Sequence, residues 1–198
     1  GQFLVLFSLV DLEEKMIAKE GYPFIIAAAL LFVVVLLIPK IILIMISLLL
    51  LAMMLWFFRN PERIAPHDDS AIISAADGKI VEISDATIGG KKYKKISVFM
   101  NLFSVHVNRA PYAGIISWVN HIEGSFLPAD EQEASAENER NEIQLDTAKG
   151  KIIAVQVAGL VARRIVSDVE ECNGVSKGDR LGMIKFSSRV DHYLPANT

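Results

Sequence analysis

The sequence predicts an α+β protein: an N-terminal hydrophobic helical hairpin followed by a mainly antiparallel β domain. Three observations carry this expectation. Residues 24–58 contain almost nothing polar except Lys40 and Ser47. Pro39-Lys40 cuts that block in two, because proline lacks an N–H and disfavours helix in the residue before it. From Arg59 onward, short β-branched or alternating runs are separated by glycine turns, the pattern of strands and hairpins. The hydrophobic fraction of 52% and the mean hydropathy of +0.38 average over these two unlike parts.

The expected organisation is an N-terminal segment over residues 1–22, amphipathic and cytoplasmic, a membrane hairpin over 23–58 and a folded domain over 59–198. A perpendicular span needs about 20 apolar residues. The run 41–58 is long enough to span, and the run 24–38 is marginal, so the hairpin either crosses a thin bilayer or dips into one leaflet. Lys15 and Lys19 precede it and Arg59 and Arg63 follow it. By the positive-inside tendency both flanks are cytoplasmic, which puts the protein at the cell membrane with its folded domain on the cytoplasmic side. A secretory signal is a poorer account, since no small-residue cleavage site follows the first run.

Strands are expected over 71–74, 78–83, 95–100, 114–119, 142–147, 151–158 and 183–186. Turns are expected at Gly89-Gly90, Ala113-Gly114, Lys149-Gly150 and Lys177-Gly178-Asp179. The polar stretch 125–141 lacks a steady period and reads as a long loop, and 162–169 is open between strand and helix. A domain of this size buries one core. A formal net charge of -3 argues against nucleic acid. The single cysteine, Cys172, excludes an internal disulfide.

A serine, a histidine and an aspartate on separate segments can form a proton relay that activates the hydroxyl. Ser188 supplies the hydroxyl, and His106, titrating near neutrality, is the base. Asp77 would orient the imidazole. The ordinary readings are a strand histidine bonded to backbone and an Asp-Gly turn at Asp77-Gly78. Arg109, Arg163, Arg164 and Arg189 suit a phosphate, since guanidinium binds oxyanions bidentately; surface ion pairs account for them equally well. His67, His121 and His192 lack metal-ligand spacing, and no metal site is expected.

Local wording adds to this. Phe57-Phe58-Arg59-Asn60-Pro61-Glu62-Arg63 is followed by Ala76-Asp77-Gly78, Ser97-Val98-Phe99-Met100 and Val105-His106-Val107-Asn108-Arg109-Ala110-Pro111. Asn138-Glu139-Arg140, Val155-Gln156-Val157-Ala158-Gly159, Ala162-Arg163-Arg164-Ile165-Val166 and Ser187-Ser188-Arg189-Val190-Asp191 come next, in that order. This series resembles the phosphatidylserine decarboxylases of the short, membrane-bound bacterial and archaeal type, from about residue 20 to residue 195. The resemblance implies that Ser188 attacks the carbonyl of Ser187, its cleavage partner, that the chain splits through an ester, and that Ser188 becomes an N-terminal pyruvoyl cofactor. It implies decarboxylation of phosphatidylserine to phosphatidylethanolamine in phospholipid biosynthesis, with His106 and Asp77 assisting. The implied partners are the phospholipid substrate, the membrane and the protein's own C-terminal fragment; a homodimer is left open. The chain reads as C-terminally truncated against that pattern, and Phe103 stands where larger relatives carry a second histidine.

Two other classes compete. A triad serine hydrolase lacks its Gly-x-Ser-x-Gly elbow here. An uncleaved, non-catalytic membrane-anchored β module is favoured by Ser187, because the resembling family has glycine before its reactive serine. If that glycine serves a positive φ, a serine there costs about 1–3 kcal/mol. Self-cleavage is then expected to be slower than in the Ser187→Gly variant by about one to two decades. The rates at which the two precursors disappear after synthesis measure this, and equal rates would make the glycine dispensable.

Overall fold

The computed structural model describes residues 16–129, 131, 134–160, 164–186 and 188–196. In chain order its elements are α1 (Tyr22–Val35), α2 (Ile41–Phe57), β1 (Lys79–Ile88), β2 (Lys91–Met100), β3 (Val107–Arg109), β4 (Gly114–Ile122) and α3 (Ala134–Glu137). Then follow β5 (Arg140–Thr147), β6 (Gly150–Ala158), β7 (Ile165–Ser167), β8 (Gly174–Val175), β9 (Arg180–Ile184) and β10 (Ser188–Pro195). The chain divides into two compact units between Arg63 and Ile64.

The expected class requires correction. The protein is mostly antiparallel β sheet with a few helices, and no helix among the described residues is long and apolar enough to cross a membrane. The reason is length. At 1.5 Å per residue, the 14 residues of α1 and 17 of α2 reach only about 21 and 26 Å, short of a hydrocarbon core of about 30 Å. Pro39 prevents their fusion: α1 unwinds through Leu37 N–H to Val34 C=O at 3.2 Å and Ile38 N–H to Val35 C=O at 2.9 Å. Within this unit, Phe58 is the pivot. Its ring stacks on Phe24 at 5.2 Å, its carbonyl accepts from Ala18 N–H at 2.8 Å, and a Cβ on Gly21 would lie 2.4 Å from it. Both helices and the turn between them leave apolar side chains exposed, Leu37, Ile41 and Leu49 most of all.

In the second unit, an antiparallel seven-stranded sheet runs β1-β2-β10-β6-β5-β4-β8, and a three-stranded sheet runs β3-β9-β7. The β1–β2 hairpin closes through Gly89 and Gly90, both at positive φ as a two-residue hairpin loop needs. Directly opposed residues share a face of the sheet. Ser188 therefore lies with Met100 and Ala158, and Val190 with Val98 and Gln156, on the face that meets the small sheet. The core between the sheets joins Val98, Met100, Ala158 and Val190 to Ile184, and Ile116, Ile143 and Leu145 to Leu181.

The 71–74 segment is extended but forms no strand. Ile73 N–H donates to the Pro111 carbonyl at 3.0 Å, and proline has no N–H with which to continue a ladder. The 125–141 stretch is pinned rather than open. It holds α3, and buried Asn138 bonds both the N–H and C=O of Leu127 and the Ala158 carbonyl, each at 2.7–2.8 Å. In 162–169 the described residues contain β7.

Gly78 is set by close approach: a Cβ there would lie 2.2 Å from the Phe99 carbonyl oxygen, backbone against backbone. Gly78→Ala is expected to destabilise the domain by about 1–3 kcal/mol, measured by urea unfolding; an unchanged midpoint would show that this turn is free to move.

Candidate active site

Ser188 opens β10, an interior strand, with Met100 of β2 on one side and Ala158 of β6 on the other. It is fully buried, and its Oγ has no hydrogen-bond partner among the described residues. Leaving a buried hydroxyl unpaired costs about 1–3 kcal/mol. Only residues 185–187 separate it from Ile184, the end of β9, whose N–H donates to the His106 carbonyl at 3.3 Å. Pairing of β3 with β9 thus brings His106 and the approach to Ser188 to the same end of the small sheet.

His106 is also fully buried. Its Nδ1 lies 3.0 Å from the Ser104 carbonyl. A carbonyl only accepts, so Nδ1 carries a proton, and in that tautomer the ring lone pair lies on Nε2. Asp77 sits in the turn between Ala75 and Gly78, which is tied through Ala75 to both sheets. Ala75 N–H donates to His192 Nε2 at 2.8 Å, and the Ala75 carbonyl accepts from Arg109 N–H at 2.9 Å. Asp77 borders a cavity of about 400 Å³ together with His192, Ile80 and Leu194, whose lining includes neither Ser188 nor His106.

The arginines part ways. Arg109 donates to the Gly178 carbonyl at 3.1 Å, and Arg164 is exposed. Arg189 is 1% exposed and points to the face of β10 opposite Ser188. Its Nε donates to Asp191 Oδ1 at 2.6 Å, Nη1 to the Glu131 carbonyl at 3.0 Å, and Nη2 to Ser97 Oγ at 2.7 Å and to the Glu82 carboxylate. Lys95 Nζ completes the group, 3.1 Å from Glu82 and 3.7 Å from Asp191, whose Oδ2 accepts from Ser135 Oγ at 2.6 Å. Burial would raise the Glu82 pKa, but hydrogen bonds from Ser84, Lys95 and Arg189 and the Lys95 charge outweigh it and hold the carboxyl at about 2. Ser187 and Arg163 lie outside the described residues.

Two features were not expected from the sequence. Phe186, two residues before Ser188, adopts φ +60, a conformation that a bulky residue rarely takes and that stores about 1–3 kcal/mol. Behind Ser188, a buried chain of amides crosses between the sheets: Asn141 Nδ2 to Gln156 Oε1 at 2.9 Å, Gln156 Nε2 to Asn108 Oδ1 at 2.8 Å, and Asn108 Nδ2 to Met100 Sδ at 3.7 Å. The available signal for it was Gln156 inside the apolar run 152–158. Among the described residues, no group of three or more His, Cys, Asp and Glu is placed to hold a metal ion.

A self-contained β domain with a buried serine and histidine at one end of two packed sheets has a known counterpart. Residues 50–198 match the family described as phosphatidylserine decarboxylase. The chain belongs to that family and is an enzyme of this type. It is 42% identical over 190 residues to the phosphatidylserine decarboxylase proenzyme of Syntrophus aciditrophicus (strain SB), covering 93% of this chain and 89% of that relative.

His192 has both ring nitrogens committed: Nε2 accepts from Ala75 N–H, and Nδ1 faces the Ile96 carbonyl at 3.1 Å. Burial lowers its pKa, against smaller opposing effects of the Ile96 bond and Asp191. The unfolded chain then binds the proton more readily, so stability falls as pH drops below the ordinary histidine value of about 6.5. Imidazole nitrogen NMR is expected to show a neutral Nδ1–H ring at pH 6.5. A protonated ring there would break this assignment.

Proposed function

We propose that the chain is a proenzyme that cleaves itself between Ser187 and Ser188, and that Ser188 becomes the pyruvoyl group with which phosphatidylserine is decarboxylated to phosphatidylethanolamine. The observation that carries this reading is the Ser188 Oγ: buried, without a hydrogen-bond partner among the described residues, and at the head of an interior strand. A hydroxyl retained there at a cost in stability needs a chemical reason. With His106 Nε2 taking its proton, Oγ adds to the Ser187 carbonyl carbon and the 187–188 C–N bond breaks, giving an ester. Elimination removes the Cα proton of residue 188 to a base as the Cβ–Oγ bond breaks, forming a Cα=Cβ double bond and leaving a carboxylate on Ser187. Water hydrolyses the resulting enamine to a ketone, with loss of ammonia.

The site suits the product. Converting the Ser188 side chain removes no hydrogen bond among the described residues, and Met100 and Ala158 keep its flanks apolar. When formed, the ketone supplies an electron sink for loss of the substrate carboxylate. This chain's residues supply the rest: His106 holds and returns a proton at Nε2, and the packed sheets limit the entry of water. Asp77 acts through the turn between Ala75 and Gly78. The exposed apolar sides of α1 and α2 support association with one leaflet of the cell membrane from the cytoplasmic side, where the substrate's bilayer is met.

Intact-mass analysis tests the reading. The wild-type protein is expected as two chains, the one beginning at residue 188 blocked by a ketone, and Ser188→Ala as one inactive chain. His106→Ala is expected to slow cleavage by about 10²–10⁴, and Asp77→Asn less. Normal splitting of Ser188→Ala would move the reactive residue elsewhere, and a single wild-type chain would favour a non-catalytic β module.

A further inference from the structure

Cleavage before residue 188 changes the mechanical situation of β10. While the chain is whole, the peptide linkage keeps the strand at high effective concentration beside its partners. Once it is cut, the strand is held by non-covalent contacts alone. Residue 188 then becomes a chain terminus, and termini fray unless they are tied down. Fraying there would displace the group formed from Ser188, and reacting atoms need near-attack geometry at about 3–3.5 Å. Val190 and His192 pack on the Ser188 face. The opposite face carries the buried charges.

We infer that the quartet of buried Arg189 and Asp191 with partly buried Glu82 and Lys95 is the clamp that keeps the Ser188-bearing fragment in the sheet and fixes its new chain end; this rests on the proposed cleavage. The partition of its members across the cut supports the role. Arg189 and Asp191 belong to the fragment that begins at Ser188, and Glu82, Lys95, Ser97, Glu131 and Ser135 to the other. Five of the quartet's contacts bridge the two: Arg189 to Glu82, to Ser97 at 2.7 Å and to the Glu131 carbonyl at 3.0 Å, and Asp191 to Ser135 at 2.6 Å and to Lys95 at 3.7 Å. Arg189 and Asp191 are each 1% exposed at the side chain, so water screens them little. Arg189 is the second residue of the new fragment, one peptide from the reactive position. A guanidinium bound on four sides at that point holds the 188–189 peptide and so the direction in which residue 188 projects. Arg189 is in this sense a positioning residue rather than a catalytic one.

The test uses Glu82→Gln, which keeps the shape of the side chain, and Arg189→Met, each made in the self-cleaving protein and in the uncleaved Ser188→Ala background. Loss of the short fragment in moderate urea is followed by intact mass after desalting, and the uncleaved proteins are unfolded in parallel. Both variants are expected to cleave, and both to lose the fragment at least about tenfold faster than wild type, a change equivalent to about 1.4 kcal/mol. Arg189→Lys, which keeps the charge and loses the fork, should not restore retention. In the uncleaved background the urea midpoints should move by proportionally less than the retention does. Retention within twofold of wild type in the cleaved Glu82→Gln protein would overturn the clamp, as would fragment loss that merely tracks the uncleaved midpoints. Should Arg189→Met fail to fold, Glu82→Gln alone decides. A wild-type protein that remains one chain overturns the cleavage reading and this inference with it, and is told apart by its single mass.

Discussion

Strand β10 has no side that faces water at the level of Ser188 and Arg189, and much of the second unit is arranged around that constraint. It is hydrogen-bonded to β2 on one edge and β6 on the other, so its main chain is satisfied by its neighbours. One face enters the apolar core between the sheets; the other carries a guanidinium that cannot be buried unless it is fully partnered. The residues that partner Arg189 come from β1, β2, β10 and the segment around α3. Their requirement for one another fixes the register of the edge hairpin against the strand that carries Ser188.

The same burial shapes the chemistry. Ser188 and His106 are both fully buried, and small electrostatic differences count for more in such surroundings. The Ser104 carbonyl settles which nitrogen of His106 is basic, and a main-chain oxygen does so without introducing a second buried charge. His192, also buried and two strand positions from Val190, is committed to backbone on both nitrogens and serves to tie the Asp77 turn to the sheet. Two histidines that are both buried thus differ in their partners rather than in their exposure.

The first unit has its own logic. Pro39 forces two helices where one long apolar run would otherwise form, and the stacked Phe24 and Phe58 rings close their base. What results is a short pair of apolar helices with many exposed aliphatic side chains. The run 41–58 read as long enough to span, but its helix ends at Phe57 after 17 residues and reaches only about 26 Å.

Local chemistry was legible in the sequence. The Gly89-Gly90 hairpin, the runs that became β2, β4, β5, β6 and β9, and the motifs that mark the decarboxylase family all depend on neighbouring residues. The sequence by itself also determined which side chains can take part in the reaction, because only a few residue types carry nucleophiles and bases. It did not determine partnership. That Arg189 is a buried strut while Arg164 is exposed, that the Ser104 carbonyl faces His106 Nδ1, and that the positive φ falls on Phe186 were decided by the pairing of distant strands. The amide chain from Asn141 through Gln156 to Asn108 has the same origin. Burial and hydrogen bonding are properties of what a residue meets across the sheet, and those neighbours are set by the tertiary structure alone.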